Sequence, residues 1–561
     1  MQISQFDFSG GMDLVSDEAN IPANAYRWLV NARQRFGIIK SVVAPIPEAG
    51  APTGLKQGCV AIGNVTILFV AGYAYYQLIG TTTWTEIANF NMSLTAPTFY
   101  SIAVPASSLN YTRQLNVGGN IANGVLQTIN FKALGSPACI LVQDGINQPW
   151  IILYDENTQS FTARPTKAYA DWAPTPTGQE YVPIGLNMMF LNQILFIVAP
   201  DGLSCYRSVS GQPLNFMVNV DVNGNKLSTE NLGGAASVSF AFDYDPITCI
   251  FPVNIPNGFI YGTRNNTRVI TLDYTTTIFG EPLFSQSAIV TAGILNQWAV
   301  ADILGDYGFI DYEGVVSFNA VQQLKMNGRN SVFSFAVSSL LDGIKQTYSI
   351  CIPFNNYVLF NLDTVWGNLF AVYDTLSSKW VALDIFGIAK VTQYALVDSQ
   401  AETKLIVVTA DNNVYQLYAK TGGTLLAGML LTRGYTVGSN STGIYGLNLV
   451  ANELKSTRLD AYFKNGTTAG VATITEICDG STTNPLTQPI AANNVAEITP
   501  INLPTTKQYA VGIERKSFVF RDNLKGFMLQ YLIKWTSDAA LRKIRMFADE
   551  DNIPVGKTQT K

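Results

Sequence analysis

A short hairpin signal recurs along this chain of 561 residues, and it constrains the fold more than any other feature. Its clearest copy spans residues 369–383. Strand-forming residues end at Tyr373, a polar turn covers 374–379, and a second strand begins at Trp380. Aromatic and β-branched residues on both sides of a short polar turn predict a β-hairpin.

Six looser copies of this hairpin lie between residues 55 and 424, a region without a long helical period. Their polar turns are at residues 81–83, 156–159, 200–202, 264–266, 313–314 and 411–413. The order Tyr154-Asp155, turn, Phe161 repeats that of the clearest copy and resembles the blade hairpins of kelch-like β-propellers. The spacing is irregular, but it is mostly near the 40–50 residues that a four-stranded blade needs.

These hairpins predict an all-β fold. A small sheet with two apolar faces is stable only when both faces are covered, so we expect about six or seven blades arranged radially as a β-propeller. A pair of stacked β-sandwiches would give similar local signals, and the shared aromatic pattern favours the propeller.

The two ends of the chain lack the recurring hairpin pattern. Residues 1–54 are predicted to form an N-terminal arm with a short helix within 17–33, since Pro22 suits a first helical turn and Tyr26, Leu29 and Val30 have helical spacing. Residues 55–424 form the propeller-like domain, and residues 425–545 a C-terminal β-sandwich-like domain. The polar residues 546–561 are predicted to be a mobile tail.

The charge of the chain limits its partners. Only 13% of the residues are charged, whereas 47% are hydrophobic, which favours a rigid subunit packed into an assembly. A net charge of −5 argues against a general nucleic-acid binder, which needs a basic face. The N-terminus lacks the pattern of a signal peptide, and no apolar window is long enough to span a bilayer. We therefore expect a soluble protein that folds in the cytoplasm.

The sequence offers little for catalysis. It contains no His, which excludes Ser-His-Asp and Cys-His sites, and its six cysteines are far apart with no CxxC. We expect scattered buried thiols, no metal, no cofactor and no enzymatic activity. Asp243 and Asp245 could serve a glycosidase, although acidic residues in turns are more often caps.

Three parts of the chain resemble one family, the tail nozzle or tail hub (tail tubular) proteins of short-tailed bacteriophages. The first part is the N-terminal pattern Phe8-Ser-Gly-Gly, Asn31-Ala-Arg33 and Gly37-Ile-Ile-Lys40. The second spans roughly residues 182–320, including Tyr206-Arg-Ser208 and Gln212-Pro-Leu-Asn-Phe216. The third combines Thr432-Arg-Gly434 with residues 526–530. Each motif is weak alone, and their order carries the resemblance.

The resemblance implies a structural virion protein of the tail. It implies a homo-oligomeric ring, usually a hexamer, that continues the DNA ejection channel below the portal and adaptor. Its partners would be the adaptor or portal-proximal proteins and tail fibre or spike proteins, and genomic DNA would pass through without sequence-specific binding. Because neither of them fits the hairpin repeat, the N-terminal arm (residues 8–40) and the C-terminal domain are the expected docking elements. The interface candidates are Phe8, Tyr26, Arg27, Trp28, Arg33 and Arg35.

Two other functions fit the same sequence. One is a receptor-binding or carbohydrate-binding propeller, such as a phage adhesin or a bacterial surface lectin. The other is a propeller glycosidase that uses turn carboxylates. The missing export signal counts against the surface lectin.

Overall fold

The fold is known from a computed structural model. It describes residues 2–5, 7–16, 20–35, 37–92, 96, 98–105, 137–155, 160–166, 182–191, 194–208, 214, 216, 236–238, 245–253, 258–278, 281–290, 292–311, 314–318, 350–364, 367–398, 402–435, 453–464, 466–467, 469–478, 495–497, 501–502, 513–520 and 528–551. Every element assigned in this part of the chain is a β-strand, as the all-β prediction required.

The strands of the first half are β1 (Gln2–Gln5), β2 (Gly11–Met12), β3 (Ala25–Tyr26), β4 (Trp28–Val30), β5 (Ala32–Arg35), β6 (Ile38–Ser41), β7 (Ile46–Pro47), β8 (Lys56–Ile62), β9 (Val65–Val70), β10 (Tyr73–Leu78), β11 (Thr85–Glu86), β12 (Tyr100–Pro105), β13 (Pro137–Gln143), β14 (Trp150–Asp155), β15 (Ser160–Pro165), β16 (Met188–Leu191), β17 (Ile194–Val198), β18 (Cys205–Arg207), β19 (Ala236–Val238), β20 (Ile247–Pro252) and β21 (Gly258–Thr263).

Those of the second half are β22 (Thr267–Ile278), β23 (Glu281–Val290), β24 (Val300–Asp302), β25 (Tyr307–Asp311), β26 (Gly314–Ser317), β27 (Ile350–Phe354), β28 (Tyr357–Thr364), β29 (Gly367–Asp374), β30 (Lys379–Asp384), β31 (Val391–Asp398), β32 (Thr403–Thr409), β33 (Val414–Leu417), β34 (Gly428–Leu431), β35 (Glu453–Lys464), β36 (Val471–Cys478), β37 (Val495–Glu497), β38 (Ile501–Asn502), β39 (Ile513–Val519), β40 (Leu529–Trp535) and β41 (Ala540–Asp551).

In the described part of residues 46–417, the strands form seven small antiparallel sheets, numbered here in chain order. Sheet 1 is β8–β11, sheet 2 is β12–β15, sheet 3 is β16–β19, sheet 4 is β20–β23, sheet 5 is β24–β26, sheet 6 is β27–β30, and sheet 7 is β31–β33 with β7. Within each sheet, strands that are consecutive in sequence are neighbours. The seven predicted hairpins are all confirmed, because each depends only on a local turn between two apolar runs.

Contacts between first strands join most of these sheets in sequence order, and the Gln297 side chain joins sheet 4 to sheet 5. Contacts join β8 to β12, β12 to β16, β16 to β20, β24 to β27 and β27 to β31, and β31 returns to contact β8. Sheet 7 is completed by β7, in which Ile46 pairs with Gln416 and Pro47 with Tyr415. A strand from the beginning of the chain thus joins the last sheet to the first.

Buried and half-buried side-chain amides link neighbouring sheets. The Gln393 amide on sheet 7 accepts from the Cys59 N–H (3.1 Å) and donates to the Phe99 carbonyl (3.0 Å). Gln297, just before sheet 5, accepts from the N–H of Ile250 on sheet 4 and donates to the carbonyl of the same residue, both at 3.2 Å. Gln143, Asn187 and Asn361 make equivalent bonds between sheets 2 and 3, 3 and 4, and 6 and 7.

Both ends of the chain build a second unit of two facing sheets. One sheet has the order β39-β35-β41-β6-β5, with β1 also on β41, and the other contains β4-β34-β40-β36-β37, with β38 on β36. The Tyr531 hydroxyl donates across them to the Ser456 hydroxyl at 2.8 Å, and the Tyr435 hydroxyl donates to the Gln5 side-chain oxygen at 2.7 Å. Residues 425–545 therefore share their core with the N-terminal strands.

Strand β4 joins the two units. It pairs in parallel with β30 of sheet 6 at Val30 and Leu383, and antiparallel with β34. Sheet 6 and one sheet of the second unit are thereby a single continuous ten-stranded sheet.

The predicted N-terminal helix is wrong, because residues 25–35 form the strands β3, β4 and β5. Trp28, Leu29 and Val30 are all buried, as in a strand packed on both faces. In a run of buried residues, some residues necessarily lie three or four positions apart. The spacing of Tyr26, Leu29 and Val30 therefore could not distinguish a helix from a strand.

The predicted boundary of the tail is also wrong. Strand β41 continues to Asp551 and pairs with both β35 and β1, so residues 546–551 belong to a sheet. The acidic residues Asp549, Glu550 and Asp551 make this end of the chain polar, but their backbones pair with residues 453–455 of β35, so polar composition alone does not mark the end of the sheet. Residues 552–561 are outside the described residues.

Candidate functional site

The predicted interface residues mostly pack inside the chain. Phe8, Tyr26, Arg27 and Trp28 are buried. The Tyr26 hydroxyl donates to the Val381 carbonyl on sheet 6 at 2.7 Å. These side chains therefore attach the N-terminal segment to its own chain, and the expectation that they form a docking surface is wrong for all four.

Arg33 is the centre of a buried polar cluster between β5, sheet 6 and sheet 7. Its guanidinium donates to both carboxylate oxygens of Asp384, at 2.7 Å for the Nη1–Oδ1 pair, and to the Tyr418 hydroxyl at 2.8 Å. The Tyr418 hydroxyl in turn donates to Asp384 Oδ2 at 2.5 Å. The guanidinium also lies over the ring of Tyr357, 5.6 Å from its centroid. The cluster is a fully partnered ion pair with aromatic walls.

Burial and neighbouring charges hold Arg33 and Tyr418 each in one charge state. Burial alone would lower the pKa of Arg33, but Asp384, Tyr418 and Tyr357 together outweigh it, so the pKa lies above its ordinary value. Burial and the charge of Asp384 raise the pKa of Tyr418 well above its ordinary range, against the opposing effect of Arg33. Neither group exchanges a proton near neutral pH, so the cluster is suited to holding structure and to binding, not to acid–base chemistry.

Two cavities lie where β5 meets the small sheets. The smaller one adjoins the Arg33 cluster and has a volume of about 210 Å³. Its lining comes from β5, from β27, β28 and the turn between them, and from the adjacent start of β32 and end of β33. The lining residues are Arg33, Phe354, Asn355, Tyr357, Leu359, Glu402, Thr403, Gln416, Tyr418 and Lys420. We call it the inter-sheet cavity.

The larger cavity, of about 500 Å³, lies where the N-terminal segment, sheet 6 and β41 meet. Arg35, the exposed member of the predicted interface residues, lines it together with Asp7, Asp374, Leu376 and Arg542. Tyr357 lines both cavities. Burial raises the pKa of Tyr357, while Arg33 opposes this effect. We call this the junction cavity.

Sequence reasoning missed Asp384 and Tyr418. Each is a single polar or aromatic residue at or just after a strand end, and Asp384 lies 351 residues from Arg33. No local pattern in the sequence pairs Arg33 with either residue.

The glycosidase hypothesis depends on the turn carboxylates Asp243 and Asp245. Asp245 accepts from the Thr263 hydroxyl at 2.6 Å and from the Arg264 N–H at 3.1 Å, so it caps a turn. Asp243 lies outside the described residues.

Five cysteines are buried free thiols, namely Cys59, Cys139, Cys205, Cys249 and Cys351. Burial raises the pKa of Cys59 and of Cys205 to about 12, so these two thiols are unreactive. The prediction of scattered buried thiols is confirmed for these five.

The described residues contain no group of three or more His, Cys, Asp or Glu side chains that could hold a metal ion. Nor does the described part of the chain contain a helix long and apolar enough to cross a membrane.

No protein-family model and no curated protein matches the chain. Two solved structures are similar in part. The alignment with a chain of the mitotic checkpoint complex covers 69% of this chain and 96% of that one, with 9% identity and a TM-score of 0.34. The alignment with Raptor of Chaetomium thermophilum covers 68% of this chain and 30% of that one, with 9% identity and a TM-score of 0.36. Similarity this low supports no conclusion about function.

Proposed function

We propose that residues 46–417 form a seven-bladed β-propeller. The support is the set of seven small sheets, the contacts between the first strands of most successive sheets, and the return of β31 to β8. Completion of sheet 7 by β7 is the kind of closure that ties the two ends of a ring of blades together.

We further propose that the chain is a structural subunit of a bacteriophage tail, a nozzle or hub that assembles as a ring below the portal and adaptor. The observation that carries this proposal is a set of exposed aliphatic side chains on rigid turns. Ile146, Leu304 and Leu376 are 70%, 67% and 64% exposed. Their backbone N–H groups donate to Asp144, Asp302 and Asp374, respectively, two residues earlier, at 2.9, 2.8 and 3.0 Å.

Such turns favour permanent contacts with other protein. An aliphatic side chain on a fixed turn loses little conformational entropy when it is buried in an interface. The three turns belong to sheets 2, 5 and 6, so they offer different patches, as a ring of identical copies requires. The low charge of the chain and its sequence resemblance to tail nozzle proteins support the same conclusion.

Light scattering of the purified chain tests the proposal. The wild type is expected to show the mass of a ring, with six copies as the leading expectation. Replacing Leu304 and Leu376 by Asp should shift it toward monomers, because it places charge in an apolar contact. Leu78→Asp is a matched control, since Leu78 is an exposed leucine at a strand end outside the Asp-capped turns. A wild type that remains monomeric at high concentration would refute the ring.

A receptor-binding or carbohydrate-binding adhesin remains the second candidate. The inter-sheet cavity favours it, because its lining combines aromatic side chains with a few polar groups, as in sites for small ligands.

A further inference from the structure

We propose that the inter-sheet cavity binds one neutral pyranose ring, either a free sugar or a single unit of a glycan. The proposal concerns a binding site and does not depend on whether the chain assembles into a ring. It rests on the cavity's walls, its volume, its charge and the hydrogen-bonding groups at its edge.

The walls are aromatic and fixed. The rings of Phe354 and Tyr418 are stacked with 5.7 Å between centroids and 21° between planes. Phe386 packs against Tyr418 from another side, at 5.4 Å. Tyr418 is further held by its hydrogen bonds to Arg33 and Asp384. The two stacked rings cover each other on one side, and the Arg33 guanidinium lies over the Tyr418 ring, 5.0 Å from its centroid. A wall held in this way needs no rearrangement, so it costs little entropy when a ligand binds beside it.

The volume restricts the ligand to one ring. About 210 Å³ is the space of about seven water molecules at ~30 Å³ each. This is below the range of about 300–1,000 Å³ that drug-sized ligands and cofactors occupy. A six-membered ring with its hydroxyl groups fits such a space, whereas a nucleotide does not.

The lining carries balanced charge. The positive charge of Arg33 is paired with Asp384, and the remaining charged groups, Glu402 and Lys420, have opposite signs. A ligand with a net charge would be desolvated here without a compensating excess of the opposite charge. The cavity therefore favours a neutral ligand over a phosphate, a carboxylate or an amine.

The polar groups at the edge match hydroxyl groups. The amides of Asn355 and Gln416 both donate and accept, and the Glu402 carboxylate accepts. The Thr403 hydroxyl donates to Asp398 at 2.7 Å, and its oxygen can still accept a further bond. Each sugar hydroxyl also donates and accepts, so several of them can be satisfied at once.

Saturation-transfer NMR and calorimetric titration of the full chain test the proposal. The probes are the methyl pyranosides of glucose, galactose, mannose, rhamnose and N-acetylglucosamine. We expect at least one to bind with a Kd of about 1 mM, the affinity that about a dozen non-hydrogen atoms reach at ordinary efficiency.

Two variants locate the site. Gln416→Ala and Glu402→Gln should each weaken binding at least about tenfold, while thermal unfolding shows that they remain folded. Asn356→Ala is the matched control, since Asn356 follows Asn355 in the same turn but lines the junction cavity. It should leave the Kd unchanged.

Two results would overturn the proposal. One is the absence of saturation by any of the five glycosides up to about 50 mM, roughly fifty times the expected Kd. The other is a pyranoside that binds equally well to both cavity variants, or that is lost in Asn356→Ala, which would place the site in the junction cavity. Ring formation is measured separately by light scattering, so a failure here leaves the assembly proposal intact.

Discussion

The Asp384 carboxylate on sheet 6 accepts hydrogen bonds from both Nη atoms of Arg33 on β5, a residue 351 positions earlier in the sequence. Asp384 is fully buried and Arg33 nearly so. Together with the pairing of Val30 and Leu383, this contact attaches the N-terminal segment to the small sheets. The same segment supplies β1, β4, β5 and β6 to the second unit, so the ion pair lies where the two units meet.

Breaking this ion pair from one side is expected to destabilise the fold strongly. Asp384→Asn should lower the free energy of unfolding by about 3–5 kcal/mol, because it leaves the buried Arg33 charge without a counter-charge. Urea unfolding at neutral pH measures the change.

The control for this variant is Asp363→Asn. Asp363 pairs with Lys390 at 3.5 Å in a more exposed setting, so its loss should cost less than about 1 kcal/mol. Equal effects of the two substitutions would show that the Arg33–Asp384 pair does not stabilise the junction.

Gln393 is expected to hold the last sheet against the first. Gln393→Leu leaves the Cys59 N–H and the Gln57 and Phe99 carbonyls without their side-chain partner. The expected loss is about 2–4 kcal/mol, since buried polar groups left unsatisfied cost about 1–3 kcal/mol each. Chemical denaturation measures it.

The neighbouring Thr392 provides the comparison. Its hydroxyl donates to the Val408 carbonyl within sheet 7, so Thr392→Val should cost only about 1 kcal/mol. If the two variants were equally stable, the link between the sheets would contribute nothing.

Stability should fall at alkaline pH. Burial raises the pKa of Cys59 and of Cys205 to about 12, whereas a cysteine in the unfolded chain ionises near pH 8.5. Because the folded pKa is the higher one, the stabilisation is complete below about pH 8.5 and is lost as the pH rises toward 12. Each thiol contributes a slope of about 1.4 kcal/mol per pH unit within that window.

Unfolding free energies measured between pH 7 and pH 11 give this slope. Cys59→Ala should reduce it by the contribution of one thiol, whatever its effect on stability at pH 7. A curve that stays flat to pH 11 would contradict the burial of these thiols.

The sequence predicted the small sheets well because their hairpins are local. Each hairpin needs only two apolar runs and a polar turn, as at Tyr373 and Trp380. The second unit could not be predicted in the same way. Its pairings join residues such as Gln2 and Phe547, and no local pattern specifies a partner so far away.

The site was predicted only in part for the same reason. Arg33 and Arg35 were chosen for their charge, and the structure places both at cavities. Tyr26 and Trp28 were also chosen, but their apolar character indicated burial within the chain as readily as docking to another one. The partners of Arg33 are on or beside sheets 6 and 7, far from it in the sequence, so no pattern around Arg33 could identify them.

Electron microscopy of the purified full-length chain tests the central proposal most directly. The account predicts closed rings, six-fold as the leading expectation, with a central hole wide enough for duplex DNA. Single particles that stay monomeric at every concentration, in a preparation that is folded, would contradict it.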